Sequence, residues 1–65
     1  MNVYIVMESF AYDGEEIISI HSTKDGALQA GHAYAAQYSY TFDQETEVWK
    51  DFGSAIRIKE MPVQD

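Results

Sequence analysis

The chain has 65 residues, eleven acids against four bases, a formal charge of −7 and no cysteine. A chain this short builds one core, so residues 1–65 are expected to be a single domain, without disulfides or a thiolate zinc site, suited to a reducing cytoplasm. Its 46% hydrophobic content excludes a disordered acidic tail; no run approaches the ~20 apolar residues of a membrane span, no leader segment is visible, and the charge disfavours nucleic acid and anionic membranes as direct partners.

Val3 to Met7 is apolar at both parities, the pattern of a central strand with two covered faces. Asp13-Gly14 then signals a hairpin turn, and Ile17, Ile18 and Ile20 continue as a second strand ending near His21. Ser22 or Thr23 offers an N-cap and Asp25 a first-turn carboxylate, which predicts a helix start. Ala27, Leu28, Gly31, Tyr34, Ala35 and Tyr38 recur at helical spacing, and the small ones allow the helix to lie close to a sheet. Gly26 and Gly31 oppose this, each costing about 1 kcal/mol against alanine inside a helix.

Tyr38, Tyr40 and Phe42 alternate with Ser39 and Thr41, as in a fraying helix end or an extended segment with an aromatic face. Thr46 to Lys50 is a third strand, Asp51-Phe52-Gly53-Ser54 a turn, and Ala55 to Glu60 a fourth strand with Pro62 at its end or on an exposed edge. The expected fold is therefore α+β: one four-stranded, mainly antiparallel ββαββ sheet with a helix on one face. Folding buries roughly 60% of the unfolded surface at this size, so stability is marginal unless the chain packs unusually well or associates.

No catalytic pattern stands out. His21 and His32 match no metal spacing, no Asp-x-Asp-x-Asp-Gly loop is present, and the serines lack a Gly-x-Ser-x-Gly context. Paired carboxylates abound, but glycosidase chemistry needs them facing across a cleft that so small a fold has little room to build. The chain reads as non-enzymatic, without cofactor or metal.

The acids cluster. Asp13, Glu15 and Glu16 crowd the first hairpin, and Asp43, Glu45, Glu47 and Asp51 follow one parity. If residues 43–51 are extended, those four share a face, spaced about 6.5–7 Å per two residues. DNA carries a negative charge about every 3.4 Å of axis per strand. The two repeats differ by about a factor of two along the axis, yet a carboxylate row of that kind is expected to fit a cleft built for phosphates, whereas a plain solvated acidic face is the alternative. Trp49 has the parity of Glu47 and Asp51, which sets it among the acids as an interface anchor. A bulge or a shifted strand start would turn it into the core instead, and Tyr12, Tyr40 and Phe42 carry the same ambiguity. Lys50, Arg57 and Lys59 are expected to pair across the sheet with Glu47 or Glu60.

Val3-Tyr4-Ile5-Val6, the acidic Asp-Gly hairpin, Ser22-Thr23-Lys24-Asp25-Gly26-Ala27, and Trp49 followed by Gly53 and Ile56-Arg57-Ile58 together resemble small uncharacterised bacterial and phage domains of ββαββ build. In size and acidity the chain is also similar to phage and mobile-element inhibitors of bacterial defence, anti-CRISPR proteins among them, several of which mimic DNA. That resemblance implies a basic nucleic-acid-handling partner, such as a CRISPR or other defence effector. The expected binding residues are Asp13, Glu15, Glu16, Asp43, Glu45, Glu47, Trp49 and Asp51, on a monomer or weak homodimer. The alternative is a structural or regulatory module, without DNA mimicry, that self-associates through a strand edge or the aromatics around Tyr40 and Phe42.

Overall fold

The computed structural model describes residues 1–63. In chain order it contains β1 (Asn2–Phe10), β2 (Gly14–His21), α1 (Lys24–Gln37), β3 (Thr41–Asp43), β4 (Val48–Asp51) and β5 (Ser54–Pro62). The α+β class is as expected, but the sheet has five strands rather than four. Their order is β2-β1-β5-β4-β3, with every pairing antiparallel. The added strand, β3, is only Thr41-Phe42-Asp43, too short to show an alternation of its own.

β1 is central, as its two-faced apolar run requires. It pairs with β5 from Asn2↔Pro62 to Phe10↔Ser54 and with β2 on its other side. Gly14 and Gly53 hold φ of 85° and 74° in the two hairpin turns, a region that only glycine enters without a steric cost. These turns lie side by side at one end of the sheet, where Ala11 N–H donates to the Gly53 carbonyl at 2.8 Å.

The β1–β2 register slips once. Val6 pairs with Ser19 but Met7 pairs with Ile17, so Ile18 is the extra residue of a bulge. Ile18 packs towards the core. Strict alternation would send Ile17 and Ile20 to opposite faces; the bulge puts both on the face away from the helix, opposite Met7 and Ile5.

Thr23 caps α1, its hydroxyl accepting from Gly26 N–H at 3.0 Å. The other end closes with Ser39 at φ 59° and Tyr40 N–H donating to the Ala35 carbonyl at 3.1 Å. This is a Schellman closure with serine where glycine is usual. The segment from Tyr38 to Phe42 is thus a helix cap running into a short strand.

The helix contacts the sheet through Ala27, Gly31 and Ala35, one stripe at spacing four, all buried. Beneath it lies Trp49, 1% exposed, with Val6 and Ile56. A Cβ on Gly31 would stand well inside van der Waals contact of the indole, 2.7 Å from Cζ3 and 2.8 Å from Cζ2. Gly31→Ala is therefore expected to destabilise the fold, because overpacking of about 1–3 kcal/mol outweighs the ~1 kcal/mol that alanine gains in a helix. Ser39→Gly should act in the opposite sense, relieving about 1 kcal/mol of left-handed strain. Urea titrations of both variants check the pair of signs.

Candidate functional site

Trp49 leaves the proposed binding set: it is core, not interface. Its partner across the sheet is Ile56, and its ring lies under α1. The indole Nε1 donates to His32 Nδ1 at 3.1 Å, and the His32 and Phe42 rings pack against it at 5.0 and 4.8 Å between centroids. Phe42 and Tyr40 also point inward, which removes the aromatic patch expected of them. Tyr12 alone of the uncertain aromatics is exposed, at 97%, on the first hairpin turn; Phe52, on the neighbouring turn, is fully exposed.

The one-sided acidic row is not formed. Residues 43–51 fold back as a hairpin, β3 ending at Asp43 and β4 beginning at Val48, with Glu47 at φ 55° in the turn. Asp43 and Asp51 therefore lie at opposite ends of β4. Asp43 accepts the Glu45 N–H at 3.0 Å, a local turn bond that occupies one carboxylate oxygen. Glu47 accepts from Lys24 Nζ at 2.8 Å, and its carboxylate holds the Lys24 ammonium above the ordinary lysine value. Arg57 pairs with Glu15 at 2.6 Å, not with the expected Glu47 or Glu60. Lys24, at the helix start, makes the pairing with Glu47 instead. Asp13, Glu16, Glu45 and Asp51 are exposed.

The register divides the charges between two faces. Tyr4, Val6, Glu8, Trp49, Ile56 and Ile58 face the helix, so the alternate residues of the same strands face away. Lys50, Arg57 and Lys59, three of the four cations, fall on the face away from the helix, accompanied by Glu15 and Asp43. Glu16, Asp51 and Glu60 take the helix side, α1 adds Asp25, and Glu47 joins them through its pair with Lys24; Asp13 and Glu45 stand exposed in the turns, Glu45 beside Asp43 and Lys50. Lys24 is the one cation there.

A notch of about 330 Å³ opens at the start of β4, beyond which the last part of β5 is unpaired on one side. Tyr4, Lys24, Glu47, Arg57, Ile58 and Glu60 line it, a mixed-charge wall with its Lys24–Glu47 pair already closed. Ser19 Oγ and His21 Nε2 are 2.8 Å apart, two residues along one strand, and do not line that notch. Among the described residues, no three His, Cys, Asp or Glu side chains converge to hold a metal ion. No described helix is long and apolar enough to cross a membrane.

A protein-family profile described as a domain of unknown function, DUF7336, matches residues 1–57. The chain belongs to the DUF7336 family. No curated protein and no solved structure matches it. The DUF7336 match spans β1 to β4 and the first part of β5, so it takes in the Gly31–Trp49 contact and every acidic position discussed above except Glu60.

One buried ionisable residue within the DUF7336 span had no signal in the sequence. Glu8, 5% exposed on the helix side of β1, accepts from Tyr34 Oη at 2.8 Å and from the Tyr40 hydroxyl. Tyr40 in turn bonds Ser54 at 2.7 Å, so the cluster ties β1, α1 and β5 together. The hydrogen bond to Glu8 and then burial raise the Tyr34 pKa; burial and then that carboxylate raise Tyr40. Unfolded tyrosines ionise near pH ~10 while the folded ones hold their protons higher. The stability this contributes is full below pH ~10 and is lost as pH rises towards the folded values. Melting temperature should therefore fall as pH rises above about 10, and more shallowly in Tyr34→Phe. Equal slopes in the two proteins would contradict the assignment.

Proposed function

We propose that this DUF7336 chain is a non-enzymatic, protein-binding inhibitor acting in the bacterial cytoplasm. Its acidic side occupies the positively charged nucleic-acid site of another protein, of the kind found in CRISPR and other defence effectors. The observation that carries this reading is the segregation of charge. Glu16, Asp25, Glu47, Asp51 and Glu60 are opposed on their own side by Lys24 alone.

The remaining cations lie across the sheet, and the molecule measures 38 × 23 × 21 Å. Ionic screening at physiological salt acts over about 8 Å, so charges on the far face neutralise the acidic side weakly. A basic cleft approaching from the helix side therefore meets a net negative surface. The binding residues are Glu16 and Asp51, assisted by Glu47 and by Asp13 at the hairpin turn; Glu15 and Asp43 lie on the opposite face, Glu45 stands beside Asp43, and Trp49 is internal.

Displacement of a labelled DNA duplex from purified DNA-binding defence nucleases tests this. The chain should displace DNA from a susceptible nuclease at low salt and lose potency as salt rises. Combined Asp13→Lys, Glu16→Lys and Asp51→Lys should weaken displacement by about tenfold or more, with the circular dichroism spectrum unchanged. Undiminished displacement by that variant would sink the proposal.

A further inference from the structure

The helix covers one face of the sheet and leaves the other open, and that open face is not polar. Ile17, Ile20 and Met61 stand on it, 56%, 58% and 39% exposed, around Val3, Ile5 and Met7. Met1 and Val63, joined by a backbone bond, prolong the same alternation at its margin. Five of the eight large hydrophobic side chains exposed among the described residues thus gather on one side of β2, β1 and β5. Singly exposed apolar residues need no explanation, but a contiguous group marks an interaction surface.

The charge on this face is also distinct. Arg57 and Glu15 close a 2.6 Å pair across β1, and the other ions are Lys50, Lys59 and Asp43. In a molecule of net charge −7 it is a face with a nearly balanced charge. Two copies meeting there hold their acidic sides apart, whereas contact through the helix side opposes like charges.

The strand order supplies self-complementarity. β1 lies between β2 and β5, so a two-fold axis running along β1 lays β2 of one copy over β5 of the other. Ile17 and Ile20 then rest on the aliphatic stems of Arg57 and Lys59, and Glu15 falls over Ala55, one step along the strand from Arg57. We infer that the open face of β2, β1 and β5 is a homodimer interface, two sheets packed face to face with the helices outermost. This stands independently of the acidic-side reading. A surface of three strands is at the small end of stable interfaces, so the dimer forms in a concentration-dependent way.

Sedimentation equilibrium of the full chain over micromolar to millimolar concentrations decides it. The wild-type chain should reach the mass of two copies, and added salt should not dissolve the dimer as it weakens acidic-side binding. Ile17→Lys and Ile20→Lys, each at an exposed position, should raise the dissociation constant by about tenfold or more with the far-ultraviolet spectrum intact. Phe52→Lys, on the hairpin turn, should leave the dimer unchanged. A chain that stays monomeric throughout overturns the inference, including one that covers this face with an anionic vesicle or another protein. So does a dimer that survives both isoleucine changes or that Phe52→Lys dissolves.

Discussion

The fold turns on how closely α1 approaches the indole of Trp49. At Gly31 the backbone itself is the contact surface, and Ala27 and Ala35 continue that surface one turn to either side. A glycine in mid-helix is a local weakness in propensity and a requirement in packing, and here packing prevails. With the helix this close, one large aromatic ring fills much of the space that a bigger protein would fill with several side chains. His32 completes the arrangement by accepting the indole N–H at the one point where the ring would otherwise leave a donor unpaired.

The second constraint is polar. A carboxylate on the central strand is costly to bury, and Glu8 persists there because two phenol hydroxyls meet it. The cluster and the indole lie on the same side of the sheet, so together they fix α1 at both an apolar and a polar point. Tyr40 reaches Glu8 because the Schellman closure at Ser39 turns the chain back immediately after the helix. The strained serine is thus part of how the polar cluster is assembled.

These two constraints hold the helix on one face and leave the other free to carry a different surface. The bulge at Ile18 makes that second surface apolar, and the register places three of four cations on it. The result is a molecule with an acidic helix side and a nearly neutral, apolar sheet side. An electropositive protein suits the first surface and a second copy of the chain suits the other, so the two proposals do not compete for the same residues.

Much of this protein was legible from local pattern. The central β1, the Asp-Gly hairpin, the cap at Thr23, the small-residue stripe and the β5 alternation all follow from nearest-neighbour chemistry, which acts within a few residues. The acidity of the surface was equally plain. What sequence could not decide was anything that depends on contacts between distant segments. Whether residues 43–51 run straight or fold back depends on the pairing of β3 with β4 and of β4 with β5, and that pairing broke the expected carboxylate row. Trp49 faces inward because Gly31, eighteen positions earlier, leaves room for it. Glu8 is satisfied by tyrosines 26 and 32 residues away. A single slipped register position, invisible in composition or periodicity, chose the face on which Ile17 and Ile20 lie together. Parity fixes which residues alternate, but only long-range pairing assigns each parity to core or solvent.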